Sequence, residues 1–341
     1  MLAIHMILEV FLLRAVGLMN KSFTILDKEF STTRRVFNSP KKIENNVSDE
    51  FPTSLFLSEN INRKGEGGLR HKGHFKVNDA SEPLISIITV VFNGESHIEQ
   101  TIQSVINQNY NNVEYIIIDG GSTDETLSII KKYESKIDYW VSEADSGISD
   151  AFNKGISLCQ GEWVGIINAD DWYQPDALTL LDFNNDAGVL HGNMQNWRGN
   201  DKGLVHISTH KDMYRTMSIV HPSVFVRKSV YKQYGFFDPD FKLAMDYELL
   251  IRFLSKGVFF VSISEVITNF RDGGASDKGQ IGALREVRVA KLRYNIASGV
   301  ICYLQYFLAS NKARLSSIIR RSGMERFLDL YSRYISRYKQ R

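Results

Sequence analysis

The sequence has little of what defines several large classes of protein. Only two cysteines, Cys159 and Cys302, occur among 341 residues, which excludes a disulfide framework and a cysteine-based zinc site. The eight histidines show no metal-ligand spacing. The formal net charge of +2 gives no sign of nucleic-acid binding, and we expect no nucleic-acid partner. Both cysteines are typical of small core residues in a reducing compartment.

Long uninterrupted apolar runs are also missing. Met1–Met19 is broken by His5, Glu9 and Arg14, and it lacks the basic start of a signal peptide. A short surface helix is the alternative for this segment. The run Ile296–Ala309 is shorter than the roughly 20 residues that span a bilayer. No G-x-G-x-x-G motif follows the first predicted strand, which argues against a dinucleotide dehydrogenase.

Composition divides the chain into three parts. Apolar content of 43% and charged content of 23% are those of a globular protein. Residues 1–82 offer little to bury, so we expect an N-terminal extension that is largely disordered or loosely helical. Residues 83–280 carry strong strand and helix patterns and form the predicted core domain. Residues 281–341 are basic with recurring apolar positions, which predicts an amphipathic helical C-terminal region.

Strand and helix patterns alternate along the core domain. Strands are predicted over residues 84–91, 113–118, 138–142 and 163–167. Helices are predicted from His97, from a capping box at residues 122–125, from Ile148 and from Met245. The short connections favour an α/β fold with a Rossmann-like, mostly parallel sheet flanked by helices. Ligands of such sheets bind at the carboxyl ends of the strands.

Polar residues occur where the predicted strands end. Asp170 and Asp171 follow a buried strand directly. Adjacent carboxylates repel each other, and a divalent cation bound by their oxygens removes that repulsion. An ordinary polar loop is the alternative interpretation. We expect the other polar residues at strand ends to lie on the same rim: Thr89, Asn93, Asp119 and Asp145.

The helix after Asp145 carries three polar residues on one face. Asp150, Asn153 and Lys154 are spaced at i, i+3 and i+4. Lys154 either faces a phosphate or forms a solvated pair with Asp150, and the sequence leaves both interpretations open.

Five stretches of the core domain together resemble a known family. They are IITVVFN at 87–93, IDGGSTD at 118–124, DSGISDAFNKG at 145–155, NADD at 168–171 and AMDYE at 244–248. In this order they are similar to family 2 glycosyltransferases with a GT-A fold. The resemblance covers residues 83 to about 270 and implies a sugar transferase with a C-terminal helical appendage.

The resemblance implies roles for the first half of the core domain. Thr89, Val91 and Asn93 would line the base and ribose pocket of a nucleotide-sugar donor, which we expect to be a UDP-sugar. Asp119 would accept hydrogen bonds from the nucleobase, and Lys154 would contact the nucleotide. Asp171 would bind Mn²⁺ or Mg²⁺ directly, and Asp170 would contact the ribose or metal-bound water.

The second half supplies the acceptor side by the same resemblance. Asp246 would be the general base that deprotonates the acceptor hydroxyl, and capping of its helix is the plainer alternative. A single base opposite the leaving diphosphate predicts inversion at the anomeric carbon. Residues 270–276 are predicted to form a mobile loop. Weaker candidates for substrate or phosphate contacts are Asp145, Asp150, Asn153, Trp172, His221 and Arg271.

The expected acceptor is a saccharide or lipid-linked saccharide of surface polysaccharide or lipopolysaccharide biosynthesis. The basic C-terminal region predicts peripheral contact with an anionic membrane, and packing on the core domain or on a second subunit is the alternative. We expect a cytoplasmic protein, at the inner face of the cytoplasmic membrane if that contact forms. A nucleotidyltransferase and an inactive nucleotide-sugar-binding subunit are the competing functions. The first would need a glycine-rich basic loop, which residues 92–95 do not supply.

Overall fold

The computed structural model describes residues 23–25, 35–38, 54–79, 81–272 and 279–321. Twelve strands lie in these ranges: β1 Phe23–Ile25, β2 Arg35–Phe37, β3 Gly65–Gly67, β4 Ile85–Val91, β5 Val113–Asp119, β6 Tyr139–Ser142, β7 Trp163–Asn168, β8 Trp172–Tyr173, β9 Val189–Arg198, β10 Asp201–His206, β11 Val224–Arg227 and β12 Phe260–Arg271. The α-helices of the same ranges are α1 Ile98–Ile106, α2 Thr126–Lys132, α3 Ile148–Leu158, α4 Lys228–Tyr234, α5 Met245–Ser255, α6 Gln280–Arg293 and α7 Gly299–Arg321.

Ten of the described strands form one mixed sheet in the order β3-β6-β5-β4-β7-β11-β9-β12-β8, with β10 paired to β9. Its centre is parallel, because β4 pairs in parallel with β5 and β7, and β5 with β6. Strand β11 runs antiparallel to both β7 and β9. The predicted α/β fold with a mostly parallel central sheet is therefore confirmed.

The sheet is covered on both faces, and β4 shows how its sequence allows this. All seven residues of β4 are buried. Ile88 and Val90 belong to one apolar cluster, with Phe152 of α3, and Ile87 and Val91 to another. The alternation follows the two-residue period of a strand. A run of apolar residues without polar alternation is what a strand buried on both faces requires.

The predicted capping box at residues 122–125 is wrong. Helix α2 begins only at Thr126, and its N-cap residue Glu125 makes no side-chain hydrogen bond to the first turn. The Ser122 hydroxyl instead donates to Asp119, and it accepts the backbone N–H of Asn93 at 2.8 Å. The serine is thus used to join the ends of two parallel strands.

The N-terminal extension is more ordered than we expected. Residues 54–79 are described, and β3 pairs antiparallel with β6. Arg70 and Lys76 are buried, where Arg70 forms an ion pair with Glu114 at 2.6 Å and Lys76 one with Asp138 at 2.8 Å. These pairs explain how a polar segment can pack on the sheet, since its buried charges are matched. The expected helix within residues 1–19 lies outside the described residues.

The C-terminal region begins with two helices that pack on the core domain and on each other. Helix α6 contacts α5, and α7 contacts α6. Residues 322–341 of the predicted basic region lie outside the described part of the chain. Of the helices described here, none has both the length and the apolar content that crossing a bilayer demands.

Candidate active site

The carboxyl ends of β4 and β7, together with the N-terminal ends of α3 and α5, surround a cavity of about 960 Å³. Predicted site residues from five separate segments line it: Val91, Asn93, Asp145, Asp170, His221 and Asp246. The position is the one expected for a ligand of a parallel sheet.

The chain turns sharply where β4 ends. Asn93 has φ 52°, a left-handed conformation that asparagine tolerates better than most residues. The Asn93 side-chain oxygen accepts the N–H of Thr123 at 2.8 Å. A second close approach lies nearby, because a Cβ atom at Gly120 would come within 2.6 Å of Asp145 Oδ2. Glycine at position 120 therefore permits Asp145 to face the cavity.

The two adjacent carboxylates after β7 have different environments. Asp170 lines the cavity, whereas Asp171 has no exposed surface. Asp171 Oδ1 accepts the backbone N–H of Arg271 at 3.2 Å, and Oδ2 has no hydrogen-bond partner among the described residues. Burial, followed by repulsion from Asp170, raises the pKa of Asp171 well above its ordinary value.

This pair fits a divalent cation. A buried carboxylate oxygen without a hydrogen-bond partner is costly in free energy, and binding of a hard cation to that oxygen removes the cost. The described residues contain no group of three or more His, Cys, Asp or Glu side chains arranged to hold a metal ion. Asp170 and Asp171 alone would leave most coordination positions of such an ion to phosphate and water oxygens.

Asp246 lies in the first turn of α5, where the helix dipole favours a negative charge. It is half-buried and lines the cavity. Its Oδ1 accepts the N–H of Tyr247 at 2.7 Å. Burial raises the pKa of Asp246 to about 6, and nearby Glu286 adds to the shift. A carboxylate with this pKa can accept a proton near neutral pH.

His221 also lines the cavity, and its environment keeps it neutral. Its ring stacks on Phe152 with centroids 5.2 Å apart, and burial lowers its pKa to about 4. An uncharged imidazole can exchange hydrogen bonds with a ligand but cannot balance the charge of a diphosphate.

Two predicted nucleotide contacts lie behind the cavity wall. Thr89 and Asp119 have no exposed surface. The Thr89 hydroxyl is 3.0 Å from that of Tyr115, and the Asp119 carboxylate accepts hydrogen bonds from the hydroxyls of Ser122 and Ser142. Contact between Asp119 and a nucleobase stays a prediction.

The polar face of α3 is used within the protein. Lys154 Nζ lies 3.1 Å from Glu143 and 3.4 Å from Asp150, an arrangement that matches the solvated-pair alternative. Asn153 exchanges two hydrogen bonds with the backbone of Phe237, at 2.9 and 3.0 Å. None of Asp150, Asn153 and Lys154 is among the residues that line the cavity.

Trp172 and Arg271 lie beside the cavity. The Arg271 guanidinium is 5.0 Å from the Trp172 ring centroid and donates to Gln100 at 2.8 Å. Phe270 and Arg271 belong to β12, so the prediction of a mobile loop is wrong for these two residues. Residues 273–276 of that loop lie outside the described ranges.

Sequence reasoning missed part of the wall. Residues from β9, β10 and the segments that follow line the cavity: Met194, Asn196, His206, Met217, Lys242, Leu243 and Asp272. Most of them belong to no strand-end motif. Asp272 lies within the predicted loop of residues 270–276, although it was not among the candidate contacts.

The chain is similar to known proteins over this region. The model of "Glycosyl transferase family 2" matches residues 86–245. An uncharacterized glycosyltransferase of Mycobacterium tuberculosis, Rv1514c, is 32% identical over 181 residues, which span 50% of this chain and 69% of the relative. TuaG of Bacillus subtilis, named for teichuronic acid biosynthesis, is 39% identical over 101 residues, or 28% of this chain and 40% of TuaG.

Solved structures agree in fold. The mannosyltransferase PcManGT from Pyrobaculum calidifontis, in complex with GDP-Man and Mn²⁺, covers 72% of this chain and 78% of its own at 15% identity, with a TM-score of 0.52. S. aureus TarS in complex with UDP-GlcNAc covers 65% of this chain and 70% of its own at 18% identity, with a TM-score of 0.50. Both are GT-A-like, as is the architecture described above.

Proposed function

The chain belongs to glycosyltransferase family 2, and we propose that it moves a sugar from a UDP-sugar to a hydroxyl of a saccharide or lipid-linked saccharide, with inversion. The observation that carries this proposal is that Asp246 and Asp170 line one cavity. The first supplies a proton acceptor and the second belongs to a carboxylate pair that suits a cation. The TuaG relative supports a polysaccharide as the eventual product.

The reaction follows from these positions. Asp246 accepts the proton of the acceptor hydroxyl as its oxygen bonds to the anomeric carbon of the donor. The bond from that carbon to the diphosphate oxygen breaks, and the diphosphate leaves with the electron pair. A divalent cation, Mn²⁺ or Mg²⁺, held by Asp170 and Asp171 would neutralise the charge that accumulates on the diphosphate. Attack from the side opposite the leaving group inverts the configuration.

We propose that the two substrates bind on opposite sides of the cavity. Val91 and Asn93 at the end of β4 would contact the nucleoside, close to the Asp170–Asp171 pair. Met194, Asn196 and Leu243 lie on later elements and would contact the sugar and the acceptor. Lys242 is the one lysine or arginine among the described residues of the wall, precedes the base by four residues and can approach a phosphate.

The face of α7 suits an acceptor carried on a lipid. Val300, Leu304, Phe307 and Leu308 are more than half exposed. The sequence of α7 contains Lys312, Arg314, Arg320 and Arg321 and no acidic residue. We propose that this face contacts the anionic inner surface of the cytoplasmic membrane, where apolar side chains and cations both gain free energy.

Donor binding and turnover test the proposal separately. A panel of UDP-GlcNAc, UDP-glucose, UDP-galactose and GDP-mannose is screened by thermal shift with and without Mn²⁺, since a bound ligand raises the melting temperature. For the donor that binds, NMR follows the first anomer released when water or an added saccharide acts as acceptor. An α-linked donor is expected to give a β product. A retained anomer contradicts the single-base mechanism, and binding without turnover favours the inactive subunit.

A further inference from the structure

Glu286 of α6 bonds the segment that leads into α5, the helix that carries Asp246. It lies well beyond the match to the family model, which ends at residue 245. Its carboxylate accepts the backbone N–H groups of three consecutive residues: Lys242 at 3.1 Å, Leu243 at 2.8 Å and Ala244 at 2.8 Å. These residues lead directly into α5.

Two of the three residues that Glu286 binds form part of the cavity wall. Lys242 and Leu243 line its wall, as do Met245 and Asp246, which follow them. Ala244 is the N-cap residue of α5, and no side chain of the cap residue bonds the first turn. Helices normally need such a partner for the N–H groups at their start. Glu286 bonds the N–H groups of residues 242–244, just before the first turn, and so fixes the chain that enters α5.

A second set of contacts holds α5 against the same C-terminal helix. The Tyr294 hydroxyl, just after α6, donates to buried Glu248 of α5. Glu248 also forms an ion pair with Arg252 at 2.8 Å. Leu243 packs so closely on α6 that a Cβ atom at Gly282 would come within 2.6 Å of it. Rotation of α5 about its own axis would break both sets of contacts.

We propose that Glu286 is a positioning residue for the transfer reaction, which holds residues 242–244 and thereby sets the place of Asp246 in the cavity. The proposal rests on the proposed role of Asp246 as the base. It gives the C-terminal helices a part in catalysis besides any contact with a membrane. Repulsion from the nearby Glu286 carboxylate also adds to the raised pKa of Asp246.

Two substitutions separate the hydrogen bonds from the charge. Glu286→Ala removes both, whereas Glu286→Gln removes the charge and keeps one carbonyl oxygen as an acceptor. Glu265→Gln is the matched control, because Glu265 is exposed on β12 and does not line the cavity. All three variants are made in the full chain, and their melting temperatures establish that they fold.

Amide hydrogen exchange reports the positioning without any substrate. The amides of residues 242–244 are expected to exchange about tenfold to a hundredfold faster in Glu286→Ala, since hydrogen bonds to a charged group are among the stronger ones. The increase should be smaller in Glu286→Gln and absent in Glu265→Gln. Carbon-13 NMR of labelled aspartate carboxylates should show a lower pKa for Asp246 in both Glu286 variants, because a neighbouring negative charge is gone.

Turnover then tests the catalytic part. With the donor identified by thermal shift, Glu286→Ala is expected to lower kcat by about tenfold or more with little change in donor KM, and Glu286→Gln should recover part of the loss. Unchanged exchange at residues 242–244 in folded Glu286→Ala overturns the proposal. So does an altered exchange rate with wild-type kcat and an unmoved Asp246 titration. If wild-type protein binds donors but never turns over, the proposed function fails, while the exchange result still stands on its own.

Discussion

Asp170 and Asp246 line the same cavity, although they are far apart in the sequence. Asp170 follows β7, whereas Asp246 lies in the first turn of α5, after β9 and β10. The two carboxylates share the site without sharing an environment. Asp170 stands beside the buried Asp171, whose pKa is raised by burial and by Asp170. Asp246 lies at a helix start, and burial raises its pKa to about 6. This difference separates a pair suited to a cation from a single residue suited to accept a proton.

We expect Asp246→Asn to abolish transfer while the fold survives. The amide keeps the size of the side chain and can still accept the N–H of Tyr247, but it cannot take a proton from the acceptor. General bases contribute about 10²–10⁴-fold to a rate, so turnover should fall by that amount in an assay of UDP release. The thermal shift produced by the donor should remain. Near wild-type turnover would show that another group is the base.

Turnover should also fall on acidification with the titration of Asp246. Burial raises the folded pKa to about 6, and only the deprotonated form accepts the proton. The logarithm of kcat/KM is therefore expected to be level above pH 7 and to decline below about pH 6 towards a slope of one. Donor affinity measured over the same range provides the control. A profile that stays level down to pH 4.5 would contradict this assignment.

Cation binding should depend on Asp170 and Asp171 together. We expect UDP and Mn²⁺ to stabilise the wild-type protein more than UDP alone, and the Asp170→Asn, Asp171→Asn double variant to lose this increment. Electron paramagnetic resonance of free Mn²⁺ gives the binding directly. Asp240→Asn, on an exposed loop, is the matched control. If the double variant binds Mn²⁺ as well as wild type, the cation is held elsewhere.

The sequence predicted the centre of the fold well because local patterns determine it. Helix α3 occupies the predicted residues 148–158, where Gly147 has φ 114° and starts the helix after a sharp turn. Strand β4 differs from its prediction by one residue. In both segments the spacing of apolar residues and the residues that end the element predict the same structure. Tertiary contacts therefore did not change the local preference.

Predictions were weaker where a residue depends on a partner far along the chain. Arg70 looks like a solvent-exposed residue of a polar extension, yet Glu114 makes its burial favourable. Ser122 matches a capping motif, yet Asp119 and Asn93 bind its hydroxyl. His206 lines the cavity because β10 pairs with β9, which places it opposite Met194. None of these pairings has a periodic signal that a single sequence reveals.

Burial of Arg70 predicts a large loss of stability when the ion pair is broken. Arg70 bonds Glu114 at 2.6 Å and the backbone oxygens of Leu55 and Leu158 at 2.7 and 2.9 Å. Arg70→Met leaves a buried carboxylate without its partner, so the free energy of unfolding should fall by about 3–5 kcal/mol. Urea unfolding measures it, and Arg198→Met, at an exposed site, is the control. The added change Glu114→Gln should restore part of the loss. An unchanged unfolding midpoint would mean that residues 54–79 do not pack on the sheet in solution.

The exposed face of α7 predicts binding to anionic vesicles. Changing Val300, Leu304 and Phe307 together to serine removes three exposed apolar side chains and leaves the basic residues in place. Wild-type protein should float with vesicles of phosphatidylcholine and phosphatidylglycerol but not with phosphatidylcholine alone. Addition of 0.5 M salt should weaken the binding, because it shortens the Debye length to about 4 Å, from about 8 Å at 0.15 M. The triple variant should remain in the unbound fraction. Ile61→Ser, at a residue 99% exposed on the N-terminal segment, should float like wild type. If the triple variant floats equally well, the membrane contact lies elsewhere. If wild-type protein forms a concentration-dependent dimer and the triple variant does not, the face is instead a contact between two copies of the chain.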